Sequence, residues 1–468
     1  MRWNVSRALA ALSVPAASVL SVGADPVVED PRRRTPRTDA VLADPQVSAA
    51  ARRLGRGRTK AVVVDVLDAC RRGQVAPEDV VEATLAALPT GSASLRPVVN
   101  ATGVVVHTNL GRAPLSAAAI DALTTAAGPT DVELDLATGR RGARGAAALA
   151  ALAAAVPGAE GVHVVNNGAA ALALVTCALA QRSDGPGREI VVARGEMVEI
   201  GDGFRIPDLL ESVGARLREV GTTNRVRLSD YESALGEDTA FVLKVHPSNF
   251  RVEGFTSSVS VEELAGLGAP LVVDIGSGLL APHPRLPDEP DAASCLAAGA
   301  DLVTASGDKL LGGPQCGLLL GRGELVQRLR RHPFARALRV DKLTLAALEA
   351  TLTGPPPPVA EALGRRPEDL MARARRLALA IGPDAEAVAS EGAVGGGGAP
   401  GVVLPSAAVA LPSRLAEALR TGATPVVGRV HEGRLLLDLL AVPDDLDEVL
   451  ADVVRRVLAE TATEGRTA

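Results

Sequence analysis

The stretch Leu302-Val-Thr-Ala-Ser-Gly-Asp-Lys-Leu-Leu-Gly-Gly-Pro-Gln315 runs from an apolar segment straight into a lysine and a glycine-lined turn. Leu302 to Ala305 reads as a short buried strand, so Lys309 leaves the interior at a strand end. A lysine amine has an ordinary pKa of about 10.4, and burial or a nearby cation lowers it until the neutral amine attacks carbonyl groups. The chain has four lysines against 45 arginines, so a lysine is informative where an arginine is not. Lys60 lies in a basic segment, Lys342 begins a helix and Lys244 sits inside a strand, which leaves Lys309 as the candidate nucleophile.

Two earlier strand ends point to the same place. Leu271-Val-Val-Asp274-Ile-Gly-Ser-Gly278 sets a carboxylate directly after an apolar strand, where it either caps a turn or holds a cation such as a pyridinium N–H. Val162 to Val165 runs into Asn166-Asn167-Gly168-Ala169-Ala170 and a helix to Leu179, whose first-turn amides form an anion cradle. Ile190 to Val192 and Phe241 to Val245 are further buried strands. Strand alternating with Ala-rich helix predicts a doubly wound α/β domain with a mostly parallel sheet and its site at the C-terminal strand ends. Phosphate cradle, then Asp274, then Lys309 is the order used by the large pyridoxal-phosphate enzymes of the aspartate-aminotransferase fold, fold type I. There the protein holds the ring, keeps its nitrogen protonated and supplies the lysine. A Rossmann dehydrogenase is disfavoured because no GxGxxG follows the first strand.

Composition bounds the rest. At 468 residues and 47% hydrophobic, the chain can bury a sizeable core, which excludes disorder as its main state. Seven aromatic residues argue against an all-β sandwich and against an aromatic base-stacking platform. Four scattered cysteines, no CxxC and no His at ligand spacing argue against a disulfide framework and a metal site. Net charge is −6, yet residues 31–72 carry 11 basic and four acidic groups. That stretch either tracks a phosphate backbone or is an arginine-biased solvated surface.

The expected organisation has four parts. Residues 1–38 form a leader, whether disordered or the product of an upstream start. Its Arg2, Arg7 and apolar run to Val22 imitate a secretory signal, but Pro15 interrupts the run, and the expected location is cytoplasmic. Residues 39–95 form a helical cap, with Val63, Val66, Leu67 and Cys70 on one apolar face. Residues 96–353 form the large domain. Gly354-Pro-Pro-Pro-Pro358 marks a break before a small α+β domain over 354–468. That domain holds a helix from Pro367 to Ile381, a glycine run from Gly392 to Gly401, a hairpin around His431-Glu432-Gly433 and a closing helix. No apolar run long enough for a membrane span occurs elsewhere in the chain.

Five segments then become specific. Arg96 to Leu115 (RPVVNATGVVVHTNLGRAPL), Glu133 to Gly145 (ELDLATGRRGARG), Arg194 to Gly201 (RGEMVEIG), Lys244 to Gly254 (KVHPSNFRVEG) and Ser306 to Gln315 together resemble the bacterial L-seryl-tRNA(Sec) selenium transferase family, the selenocysteine synthases. The resemblance runs in order from about Thr35 to the C-terminal helix. It implies pyridoxal 5'-phosphate as cofactor, held by Asn166, Asn167, Gly168, Ala169, His246, Asp274, Ser306 and Lys309. It also implies the reaction. Serine esterified to selenocysteine tRNA displaces Lys309 as an aldimine, Lys309 removes the α-proton, water is eliminated to leave aminoacrylyl-tRNA, and selenophosphate adds selenium. Arg112, with Arg336 and Arg339 one helical turn apart, matches the positions that hold selenophosphate, and guanidinium groups suit a dianion. Asp308 is carried over as an acid for the leaving hydroxyl, with capping of the following turn as its plain alternative. The resemblance further implies that the cap grips tRNA and that the chain forms a homodecamer built from dimers.

Two other readings stay open at this point. One is a pyridoxal-phosphate lyase acting on a small amino acid or amino-sugar phosphate, although such relatives typically lack a basic helical cap. The other is a catalytically silent tRNA-binding relative, against which Lys309, Asp274 and Asn166-Asn167 argue.

Overall fold

The computed structural model describes residues 34–467 apart from Thr90, Ser92, Ser183, Asp184 and Asp202. Most of the expected leader, with Arg32 and Arg33, therefore lies outside the described residues. The chain divides into two compact units, Met1–Pro97 and Val98–Ala468.

The first unit is helical: α1 (Thr38–Ala43), α2 (Pro45–Leu54), α3 (Arg56–Arg71) and α4 (Val80–Ala87). Asp44 starts α2, its carboxylate accepting from the Gln46 and Val47 amides at 2.9 and 3.2 Å while Pro45 takes the first helical position. Val41, Val47, Val63, Val66, Leu67 and Cys70 close a small core. Burying these side chains turns the basic residues outward, so Arg34, Arg37, Arg52, Arg53, Arg56 and Lys60 are exposed.

Near the start of the second unit is a short strand, β1 (Val104–Val106), whose partner comes from the far end of the chain. The main sheet follows: β2 (Gly161–Val165), then helix α5 (Gly168–Leu179), β3 (Glu189–Ala193), β4 (Arg216–Val220), β5 (Thr239–Val245), β6 (Leu271–Gly276), β7 (Leu302–Ser306) and β8 (Gly317–Gly321). Its order is β2-β8-β7-β6-β5-β3-β4. Every pairing is parallel except those of β8, which runs antiparallel to β2 and β7. All of β7 and β8, and all of β5 but Thr239's neighbour in polarity Lys244, are buried, as a sheet covered on both faces requires. The parallel strands end on one edge, which gathers Asn166, His246, Asp274 and Ser306.

Further elements that bear on the site and the second sheet are a short helix α6 (Pro333–Ala337), helix α7 (Pro367–Ile381), β9 (Glu386–Gly395), β10 (Val403–Pro412), β11 (Arg429–His431), β12 (Arg434–Asp438) and helix α8 (Asp447–Thr467). They build a second sheet of order β11-β12-β10-β9-β1. Val104–Val106 thus belongs to the second sheet, paired parallel with β9, although it lies inside the 96–353 range expected to form the large domain. A three-residue parallel edge strand has no local sequence signature, because its partner is remote. Among the described residues no helix is long and apolar enough to cross a membrane.

Arg373 ties α7 to α8. It is 4% exposed, and its guanidinium donates to both Asp447 oxygens and to the carbonyls of Val442 and Pro443, the last two at 2.8 Å. A buried ion pair broken from one side costs about 3–5 kcal/mol. Arg373→Ala is expected to lower unfolding free energy in urea by about that amount, and a loss below ~1 kcal/mol would show that the network adds little.

Candidate active site

The site is built at the C-terminal edge of the main sheet. Asn167 caps α5, its Oδ1 accepting from the Ala170 amide at 2.8 Å, and the amides of Gly168 and Ala169 have no carbonyl one turn back inside the helix. The Ser306 hydroxyl sits against this turn so closely that a Cβ on Gly168 would fall 2.8 Å from its Oγ. Asn166 is held through its backbone amide, which donates to the Leu338 carbonyl at 3.0 Å. An open helix N-terminus with a hydroxyl beside it is an anion site.

Asp274 lies within β6 and is buried. Its Oδ1 accepts from the Thr304 hydroxyl at 2.7 Å on the neighbouring strand. Burial raises its pKa, opposed by the Thr304 hydrogen bond and by the positive charges of Lys309 and His246. A carboxylate so placed is stabilised by a cation above the sheet.

Lys309 follows β7. Burial lowers its pKa from the ordinary value, opposed chiefly by Asp274 and Asp308 and assisted by Arg112. Asp308 in turn accepts from Arg112 Nη1 at 2.6 Å. Arg112 has a left-handed backbone (φ 67°), fixed by its amide bonding to the His107 carbonyl at 3.0 Å. Non-glycine residues held this way cost about 1–3 kcal/mol and cluster at functional sites.

Two parts of the site had gone unread in the sequence. The glycine run after β9 folds over the lysine: at Gly397 (φ +91°) a Cβ would lie 2.5 Å from Lys309 Nζ. The run was visible as a string of glycines, but its place above Lys309 depends on the second sheet. Glu289 is the other, with a side chain 1% exposed. It receives His246 Nε2 at 3.2 Å and the Ala399 amide at 2.7 Å, so it links the end of β5 to the glycine run. An acidic loop carries no local sign of such a role.

The three arginines do not share one helix. α6 ends at Ala337, so Arg336 lies exposed on it while Arg339 lies beyond, bridged to Val165 at the end of β2. The expected one-turn spacing fails because the helix stops before completing it. Arg339 and Asn166 are neighbours, Arg112 joins Asp308, and Arg336 makes no side-chain hydrogen bond or ion pair with either group. Of the remaining lysines, Lys244 is engaged by Glu196 at 3.0 Å and Lys342 donates to the Gly128 carbonyl. Cys316, beside the lysine turn, is a buried core residue, and Cys70, Cys177, Cys295 and Cys316 are all free thiols.

Residues 98–443 match the family model described as L-seryl-tRNA selenium transferase, and residues 32–71 match that described as selenocysteine synthase N terminal. The chain belongs to the L-seryl-tRNA selenium transferase family. It is 44% identical over 372 residues to the L-seryl-tRNA(Sec) selenium transferase of Hyphomonas neptunium, covering 74% of this chain and 79% of that one. It is 40% identical over 447 residues to the enzyme of that name from Carboxydothermus hydrogenoformans, covering 88% and 95%. Among solved structures it resembles D-glucosaminate-6-phosphate ammonia-lyase, with TM-score 0.56 and 21% identity, covering 79% of this chain and 97% of that one. That likeness concerns the fold alone, which is the type I fold of pyridoxal-phosphate enzymes.

The residues of this transferase-family chain fit pyridoxal phosphate. The α5 turn and Ser306 offer the anion cradle, Asp274 is a buried carboxylate suited to a ring N–H, and Lys309 reaches the same space. Gly397→Ala puts a methyl group where the lysine amine lies. Capture of pyridoxal phosphate, followed by visible absorbance, should slow roughly tenfold or more with the circular dichroism unchanged. Normal capture would place the glycine run elsewhere in solution. In the parent protein, capture by the cofactor-free form should fall as pH drops through the lowered Lys309 pKa, since protonation removes the nucleophile. A profile governed by an ordinary lysine near 10.5 would contradict that burial.

Proposed function

We propose that the chain converts L-seryl-tRNA(Sec) to L-selenocysteinyl-tRNA(Sec), with pyridoxal phosphate as cofactor and selenophosphate as selenium donor. The observation that carries this reading is a Lys309 largely withdrawn from water, placed with Asp274 and the Arg112–Asp308 pair, in a chain of this family. Pyridoxal phosphate, when bound, supplies an aldehyde for the substrate amine and an electron sink that acidifies its α-carbon. Asp274 would keep the ring nitrogen protonated, and the α5 turn with Ser306 would hold the phosphate.

Lys309 acts as the base. Burial favours its neutral form, so Nζ accepts the α-proton and then returns it to the departing β-hydroxyl, which leaves as water. The family resemblance implies Asp308 as that acid. Its side chain is taken up by the Arg112 guanidinium at 2.6 Å, so we assign Asp308 to holding Arg112 and to balancing the lysine charge. Arg112 and Arg339, with Arg336 on the exposed face of α6, are the groups we assign to the dianionic donor. Lys309 then takes a proton from the Se–H of the incoming donor, selenium bonds to the β-carbon, Lys309 passes that proton to the α-carbon, and water cleaves the phosphorus–selenium bond to leave a selenol and phosphate.

The first unit, with its outward arginines, is our candidate for gripping the tRNA, and deleting it should weaken tRNA binding while leaving cofactor absorbance intact. A homodecamer built from dimers, working in the cytoplasm, completes the reading. The experiment is a visible spectrum of the cofactor-loaded protein with seryl-tRNA(Sec) beside one with free serine. Perturbation by the charged tRNA alone is expected, and Lys309→Ala should abolish turnover. A response to small amines only would favour a small-molecule lyase, and no cofactor band would favour a silent binding protein.

A further inference from the structure

Against the end of the glycine run, at Ala399 and Pro400, lies a cavity of about 500 Å³, within the size range of ligand pockets. It shares His246, Glu289 and Ala399 with the site already described, and is otherwise walled by Asn224, Arg225 and the loop that carries Phe250 and Arg251. None of these wall residues from the two loops has a part in the reaction above.

Three observations mark its chemistry. First, Phe250 in the wall is 38% exposed, and Phe255, adjoining the lining residue Thr256, is 77% exposed and carries the guanidinium of the lining Arg225 4.1 Å from its ring centre, in a chain with only five phenylalanines. Few rings argue against an extended stacking platform, but two exposed ones on one loop suffice for a single base. Second, Arg225 and Arg251 have no carboxylate partner among the described residues. The lining acids Glu196 and Glu289 are engaged by Lys244 and His246, which leaves exposed Asp288 as the remaining one. Third, Glu289 Oε1 is buried and receives no hydrogen bond. A buried acceptor without a donor is costly unless a ligand supplies one.

We propose that this cavity receives the unpaired 3'-terminal nucleoside of the aminoacyl-tRNA. The proposal rests on the function proposed above, in which serine is joined to that nucleoside's ribose by one ester bond. The nucleoside must then lie next to the reacting carbon. Ala399 stands two residues from Gly397, which abuts Lys309, so the cavity shares a wall with the reacting space. The base stacks on the open face of Phe255, extending the guanidinium–ring stack. Arg251 and Arg225 meet the adjoining phosphate, and Glu289 Oε1 accepts from a ribose hydroxyl. Unpaired RNA bases are read by such rings and guanidinium planes.

The test uses the full-length, cofactor-loaded protein and selenocysteine tRNA whose terminal adenine is replaced by fluorescent 2-aminopurine. Binding to the parent protein should quench the probe. Phe255→Ala and Arg251→Ala should abolish the quenching and raise KM for seryl-tRNA(Sec) roughly five- to a hundredfold, with cofactor absorbance unchanged as the check on folding. Phe255→Trp should restore the quenching. If the tRNA binds and the probe responds equally in parent and Phe255→Ala, the cavity is not its site. If Phe255→Ala instead changes the oligomeric mass and leaves quenching intact, a second copy of the chain covers the rings and the proposal falls. Failure of the tRNA to bind at all overturns the proposed function itself.

Discussion

Everything about the site depends on keeping one amine out of water. Lys309 leaves the centre of a sheet whose strands β7 and β8 are wholly buried, and the glycine run closes over it. Desolvation disfavours its ammonium form, while Asp274 and Asp308 pull the other way. The balance leaves an amine that can both attack a carbonyl and carry a proton. Without the two carboxylates the charged state would be prohibitive; without the burial the neutral one would be rare.

The surroundings pay for that balance in backbone strain and close packing. Arg112 and Ala399 both adopt left-handed backbone, and each is held by a hydrogen bond of its own amide, to His107 and to Glu289. Such conformations persist where neighbours over-determine them. Glu289 is the joint between the two sheets' contributions: one oxygen takes His246 from the main sheet and the amide beside the glycine run.

The two units differ in charge and in contact range. The first unit's core is made by neighbours in sequence, and its basic residues face outward because its apolar ones must face in. The second unit is stitched by partners that are far apart in sequence, such as β1 with β9 and Arg112 with Asp308. Outward charge follows from local folding alone; a lysine pocket needs convergence of remote segments.

Strands β2, β3, β5, β6 and β7 were legible from apolar runs, and their ends named Asn166, Asp274, Ser306 and Lys309, because chain direction in a parallel sheet sends every strand end to one edge. The family motifs added Arg112, Arg336 and Arg339. Edge strand β4, with its alternating arginines, and β8, which reverses direction, had no such signal. What the sequence by itself determined was therefore the fold class, the lysine and its buried carboxylate, since both follow from local pattern. Only the tertiary structure decided that Asp308 pairs with Arg112, that α6 stops short of Arg339, and that Glu289 and Gly397 reach the lysine. Those contacts join segments whose separation along the chain leaves no trace in either one, and only packing of the two sheets brings them together.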